Sequence, residues 1–248
     1  QAILVWKLSR FARNRQDSIL YKSLLKKRGI DVISISEPID DTPQGQLMEG
    51  MIEVIDEFYS AVLAQETLRG MVRAFADWGI RTSTFWVWST ENWEREKKQV
   101  SFAMALAVRT VNSREFIDEL CENEVRVTHL GRKSKLPRQF LRGLEALEAK
   151  TRNFTRHRLN LAIDYGGAEE MASAVYKLVG DLEARRLSKE KILENPDLIS
   201  NYLYTVGQDP PDLVIRTGVA KGELPHTSGF MPLETAYAGW IYLPDLFP

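Results

Sequence analysis

Three features of the sequence predict an α/β protein with a mainly parallel sheet and helices on both faces, preceded by a βαβ unit and a long helix. From Gly79 onward short apolar runs alternate with amphipathic ones, the rhythm of strands joined by crossover helices. The four later apolar runs all end in polar clusters, "VWSTENW", "VTHLGRK", "LAIDYGG" and "VIRTG". No repeat, low-complexity run or flexible linker interrupts the chain.

The elements follow in order. Residues 2–6 read as a short buried strand, 16–28 as an amphipathic helix closed by Gly29, and 32–35 as a second strand. Strand, helix, strand implies a parallel pair. A polar turn spans Pro38 to Pro43. From Gly45 to Trp78 the pattern is helical, with Met48, Ile52, Ile55, Tyr59 and Val62 spaced by three and four. Such a length exceeds the usual globular helix, so it is either one long dimer-forming helix or two helices joined near Gly70. Strands are then expected at 83–88, 124–129, 158–163 and 212–216, and helices near 98–121, 137–152, 168–186 and 189–204.

Composition narrows the function. The 248 residues allow one large domain or two smaller ones. A formal charge of -1 gives no whole-chain attraction to nucleic acid or anionic membrane, so any anion site must be local. One cysteine, Cys121, excludes an internal disulfide framework and a cysteine-rich zinc site, which points to a reducing, cytoplasmic setting. No apolar run reaches the roughly 20 residues that span a bilayer. The opening Gln1–Trp6 has no basic region of a signal peptide before it, and both ends read as cut.

In a parallel sheet the carboxyl ends of the strands share one edge, where open α/β folds bind ligands. That edge carries Glu91 beside Asn92, Arg132 after Gly131, Arg216 before Thr217, and Gly166-Gly167 leading into a helix. Arginine offers a planar fork of donors to phosphate, and glycine before a helix exposes backbone N–H groups to an anion. A phosphorylated ligand is the economical reading; the alternative is a polar rim that binds nothing. Neither G-x-x-x-x-G-K-[ST] nor G-x-G-x-x-G follows a strand, and G-x-S-x-G is absent, so nucleotide hydrolysis, dinucleotide binding and a serine hydrolase have no support. His129, His157 and His226 are too scattered for a zinc site. The aromatics Trp78, Phe85, Trp86, Trp88 and Trp93 are either core packing or, in part, the lining of an apolar tunnel. In the second case the ligand would be a diphosphate with a hydrocarbon tail.

From about Val72 onward the chain resembles the cis-prenyltransferases, the undecaprenyl diphosphate synthase family, through "STENWER" at 89–95, "RVTHLGRKSKLP" at 126–137, "LNLAIDYGG" at 159–167, "PDLVIRTG" at 211–218 and the tail "ETAYAGWIYLPDLFP". The resemblance implies condensation of isopentenyl diphosphate with an allylic diphosphate, with Mg2+ on the diphosphate, in a homodimer. It assigns Ser89 and Asn92 to a substrate-orienting catalytic loop, and Trp93, Arg95, Arg132, Arg216 and Ser228 to substrate binding. Departures accompany it. The Asp-Gly-Asn-Gly-Arg-Trp loop that opens the family has no counterpart, Gly239 stands where the family has its second metal-binding carboxylate, and Ser228 follows "LPH" in place of Arg-x. Without those carboxylates little remains to hold Mg2+, so turnover is expected to be impaired.

Residues 1–71 resemble another family, the catalytic domain of serine recombinases, through "VWKLSRFARNRQDS" at 5–18, "GIDVISISEPID" at 29–40 and the long helix that follows. That resemblance implies Arg10 and Arg13 as active-site arginines in DNA strand cleavage; the nucleophilic serine of the family precedes anything present, and Ser9 is not its substitute. Three readings stand: a cis-prenyltransferase with a replaced amino-terminal part, a recombinase fragment acting on DNA, or a fusion in which neither site is complete.

Overall fold

Every strand pairing in the described part of the chain is parallel, and this sets where ligand-facing side chains can gather. A computed structural model describes residues 2–5, 21, 24–34, 69, 70, 72–74, 77–219 and 226–244. The chain divides into two units, Gln1–Gln65 and Glu66–Pro248. In the first unit, β1 (Ala2–Val5) pairs in parallel with β2 (Asp31–Ser34), as a βαβ unit requires. Gly29 lies at φ +71° before β2, a conformation glycine adopts without penalty. The expected turn at Pro38–Pro43 and the helix pattern from Gly45 to residue 68 fall outside the described residues.

The second unit is built on a sheet of three strands in the order β3-β5-β4: β3 (Thr82–Ser89), β4 (Val125–Leu130) and β5 (His157–Tyr165). Helices among its described residues include α1 (Lys97–Val111), α2 (Arg114–Glu122), α3 (Arg138–Thr151), α4 (Gly167–Glu183) and α5 (Lys189–Glu194). One face of the sheet presents Val125, Val127, Leu159, Leu161 and Ile163 to Met104, Phe116, Leu120, Phe140, Leu144 and Leu147 from α1, α2 and α3. Phe140, Leu144, Leu147 and Thr151 recur along α3 at intervals of four and three, so one stripe of that helix is buried. A second cluster joins Leu130, Ala162 and Tyr165 to Val214, Phe230 and Met231.

Helix α3 also finishes the edge of the sheet. Thr151 Oγ1 accepts from Val127 N at 3.0 Å and Glu148 Oε1 from His129 N at 2.8 Å, satisfying edge-strand donors that would otherwise recruit another strand.

Three expectations change. The single helix expected at 98–121 is two, because Ser113 caps a new start, its Oγ accepting from Phe116 N. The helix expected at 189–204 ends at Glu194, and Pro196 opens a 3-10 segment to Tyr202, since proline cannot continue the helix ladder. Finally, β6 (Leu213–Arg216) pairs with an unforeseen β7 (Gly239–Tyr242) as a separate two-stranded sheet, so the four polar strand ends do not share one hydrogen-bonded edge.

One pairing is electrostatically unfavourable. Arg126 and Arg158 stand directly opposite each other on β4 and β5, and burial together with the Arg126 charge pulls the Arg158 guanidinium below its usual range. Replacing Arg126 with Thr should therefore raise the urea midpoint by the equivalent of about 0.2–1 kcal/mol. An unchanged or lower midpoint would show that the two cations do not strain the sheet.

Candidate functional site

The carboxyl ends of β3 and β5 do not stop in step. The register slips between Trp86 and Trp88 and again before Ser89, which leaves Asp164 out of the ladder. Asp164 turns into the left-handed region at φ +53°, which Asp tolerates better than most side chains, and is fully buried. A buried carboxylate must be paired, and three neighbours supply donors. Trp93 Nε1 donates to Oδ1 at 2.7 Å; Arg132 donates from Nη2 to Oδ1 at 2.8 Å and from Nε to Oδ2 at 3.1 Å; Arg132 N donates to the Asp164 carbonyl at 3.1 Å. The hydrogen bonds to Asp164 raise the Arg132 guanidinium further above its usual range. Gly131, at φ +122°, lets β4 come this close: a Cβ there would strike the carbonyl oxygens of Ile163 and Asp164.

Asp164 thereby anchors the segment after β3. Ser89 ends the strand, and Thr90–Glu94 winds into a 3-10 turn whose Trp93 packs edge-on to Trp88 at 5.6 Å. The Arg95 guanidinium lies 5.7 Å over the Trp88 ring. Trp86, one register step earlier, points to the other face and stacks on Phe230 at 5.1 Å. Of the aromatic cluster, Trp88 is core, Phe85 and Trp93 pack against it, and Trp86 lines a cavity. Trp78 departs from the packing expectation, being 73% exposed.

The cavity measures about 480 Å³ and is lined by Trp86, Ser89, Glu91, Asn92 and Ser228. Its floor of aromatic surface and rim of hydroxyl and amide donors suit a ligand with a polar head. Hydrogen bonds from its own backbone, then from Ser89 and Thr90, hold the Glu91 carboxyl below its usual range. Arg216, at the end of β6, reaches the cavity edge through the 226–228 segment: Nη1 lies 2.9 Å from His226 Nδ1, and Ser228 Oγ lies 3.2 Å from the same nitrogen. Ser89, Asn92 and Ser228 thus line the cavity, Arg216 stands one side chain away, and Arg132 and Trp93 meet at Asp164 beneath the turn. Arg10 and Arg13 lie outside the described residues.

One expectation changes, and one feature escaped sequence reasoning. Gly166-Gly167 serves close packing: a Cβ on Gly167 would strike the Gly229 carbonyl oxygen and, at 2.7 Å, Pro232 Cδ. The start of α4 is thus covered by the segment that carries Ser228. Behind it, buried Glu170 accepts from Tyr165 Oη at 2.5 Å and from Tyr204 N at 2.7 Å, while Tyr165 Oη accepts from Met231 N at 3.2 Å. Burial raises Glu170 and Tyr165, and it pushes the Tyr204 phenol up to about 12. Burial pulls the His129 imidazole below its usual range, and because a carbonyl oxygen only accepts, its Nε2–H donates to that of Ile163 at 2.8 Å. It is a structural histidine.

The described residues do not offer a donor set for Mg2+. Among them Glu91 is the one carboxylate in the cavity wall, and it is already engaged by its hydrogen bonds. Among the described residues no group of three or more His, Cys, Asp or Glu could hold a metal ion. Nor is any helix among them long and apolar enough to cross a membrane.

Comparison with known proteins follows the same division. The family described as undecaprenyl diphosphate synthase matches residues 60–248, and the resolvase N-terminal domain matches residues 1–77. An isoprenyl transferase of Thermus thermophilus is 36% identical over 172 residues, 68% of this chain and 64% of that protein. That of Clostridium tetani is 38% identical over 177 residues (71% and 66%), and that of Streptococcus pyogenes serotype M3 is 36% identical over 188 residues (74% and 72%). The chain therefore spans less than two thirds of the length of the first of these relatives. Two solved structures share the fold: lavandulyl diphosphate synthase from Lavandula x intermedia in complex with dimethylallyl diphosphate (TM-score 0.67, 20% identity, all of this chain and 87% of that one), and a probable undecaprenyl diphosphate synthase from Campylobacter jejuni (TM-score 0.59, 24%, 72% and 78%).

Two outcomes are expected. Asp164→Ala strands the Arg132 guanidinium and should destabilise the protein by about 3–5 kcal/mol in denaturant titration; a loss under about 1 kcal/mol would mean solvent already screens the pair. Glu170, raised by folding, stabilises the native state at low pH and loses that contribution as pH climbs through its raised value. Between pH 4.5 and 7 the melting temperature of Glu170→Gln should therefore gain on that of the native sequence; a constant difference would contradict the buried-acid assignment.

Proposed function

The chain belongs to the undecaprenyl diphosphate synthase family by its match over residues 60–248, and we propose that its cavity binds isopentenyl diphosphate and an allylic diphosphate for cis-prenyl transfer. In that reaction a carbon–carbon bond forms between C1 of the allylic chain and C4 of isopentenyl diphosphate. The C1–O bond breaks, pyrophosphate leaves, and a proton lost from C2 creates the new double bond. The observation that carries the reading is the cavity itself, with Ser89, Asn92 and Ser228 around an aromatic wall and Arg216 at its edge.

In this proposal Arg216 and Ser228 hold the diphosphate of the isopentenyl unit, and Asn92 and Ser89 orient the reacting end. The Arg95 side chain lies over Trp88, on the core side of β3, and is given no contact with the ligand. Trp93 and Arg132 act through Asp164, fixing the turn that carries Asn92. No step is assigned to Mg2+, since the donors at hand do not suit it, and slow turnover is part of the proposal. So are the homodimer and a cytoplasmic setting.

A second reading applies to the first unit alone, because residues 1–77 match the resolvase N-terminal domain. There Arg10 and Arg13 would stabilise a DNA phosphate during strand cleavage; nicking of supercoiled DNA with covalent attachment would promote that reading. A fusion with neither site complete would leave both substrates untouched.

Calorimetry with isopentenyl diphosphate tests the main reading. Binding is expected, weakened about 10- to 100-fold in Arg216→Ala, the worth of a charge-assisted hydrogen bond. Farnesyl diphosphate with labelled isopentenyl diphosphate and Mg2+ should yield little polyprenyl product. Absence of binding, or equal binding by the variant, would overturn the assignment.

A further inference from the structure

Register and pleat sort the side chains of the three-stranded sheet into two faces. On the face away from α1, α2 and α3, three rows run across the strands. Thr82, Arg158 and Arg126 make the first, Thr84, Asn160 and Thr128 the second, and Trp86, Ala162 and Leu130 the third. The third row is apolar and belongs to the second core cluster. The first carries two half-buried guanidinium groups on neighbouring strands, which run about 4.8 Å apart. Burial and the Arg126 charge both lower the Arg158 guanidinium, and no described carboxylate pairs with either arginine.

The second row holds an unsatisfied polar atom. Asn160 is 1% exposed; its Nδ2 donates to Thr84 Oγ1 at 3.0 Å and to Gln208 Oε1 at 2.7 Å, while Oδ1 is buried with no partner. Turning the Asn160 and Gln208 amides over together keeps both bonds and exchanges the orphan from acceptor to donor. Either way one polar atom of Asn160 is left over. An unpaired buried polar atom and two adjacent like charges each oppose folding. A single ligand removes both costs.

We propose that this amino-terminal end of the sheet is an oxyanion site, distinct from the cavity, which takes a phosphate group against Arg126 and Arg158 with one oxygen toward Asn160. Bare phosphate oxygens accept from both guanidinium groups, so repulsion gives way to charge-assisted hydrogen bonds. Hydrogen phosphate also carries a hydroxyl, and it therefore satisfies Asn160 in either amide orientation. Thr82 beside Arg158 and Thr128 beside Asn160 add hydroxyl groups to the same two rows. Thr82 and Ser89 are opposite ends of β3, so roughly 20 Å of strand separates this site from the cavity. The proposal does not depend on what the cavity binds.

Inorganic phosphate at neutral pH and constant ionic strength is the probe, with chloride as the control. Phosphate also stabilises folded proteins by exclusion from their surface, so the readout is a difference between variants. In chloride Arg126→Thr should have the higher urea midpoint; as phosphate replaces chloride, the native sequence should overtake it. Calorimetry is done in an Arg216→Ala background, which removes the cavity's own arginine. There phosphate should bind, and adding Arg126→Thr or Arg158→Thr should weaken it about 10- to 100-fold. The two substitutions are alternatives, so one suffices if the other fails to fold. Phosphate shifts of equal size in native and variant proteins, or an affinity unchanged by either substitution, would overturn the site. Loss of all phosphate binding with Arg216→Ala alone would overturn it too, by placing the anion in the cavity.

Discussion

The ion pair between Arg132 and Asp164 holds the carboxyl rim of the sheet in one arrangement. Its carboxylate is fully buried, so every neighbour must either satisfy it or yield. Trp93 brings the 3-10 turn, Arg132 the loop after β4, and the slipped register of β5 the carboxylate itself. The bidentate geometry fixes orientation as well as distance. Because the indole N–H of Trp93 is engaged by Asp164, the neighbouring Asn92 is held at the cavity wall by a link that uses none of its own polar atoms. The cost is a left-handed aspartate and a glycine at 131 that cannot carry a side chain.

Much of this was legible in the amino-acid sequence. The strands carry apolar residues at alternating or successive positions, Val125, Val127 and Leu130 in β4 and Leu159, Leu161, Ala162 and Ile163 in β5, and their polar ends mark the rim. Resemblance then assigned Ser89, Asn92 and Ser228, and these three line one cavity. What stayed hidden depended on relations between segments. Asp164 stood just past the strand expected at 158–163 and was given no role; its part in the rim arises from a register slip that no local pattern encodes. Arg132 read as a ligand for phosphate because its partner lies 32 residues away. Local signals that could have been used were Ser113 with Glu115 for the start of α2, Pro196 for the end of α5, and "GWIY" for β7.

Two families meet on this chain, and their matches overlap at residues 60–77. The described part of that overlap packs within the second unit: Val72 belongs to the main core, and Arg73 donates from Nε to Glu119 Oε1 at 2.6 Å. That ion pair holds the Glu119 carboxyl below its usual range. The described residues of that shared sequence therefore fold with the prenyltransferase-like unit, and the boundary between compact units falls inside the overlap, between Gln65 and Glu66.

The internal neutralisation of Arg132 also governs how a ligand would arrive. With that guanidinium balanced by Asp164, Glu91 is the one charged side chain among the described residues that line the cavity. Arg132 therefore adds little to any long-range pull on an anion, and its share in selectivity is exercised only after contact, through the turn it keeps in place.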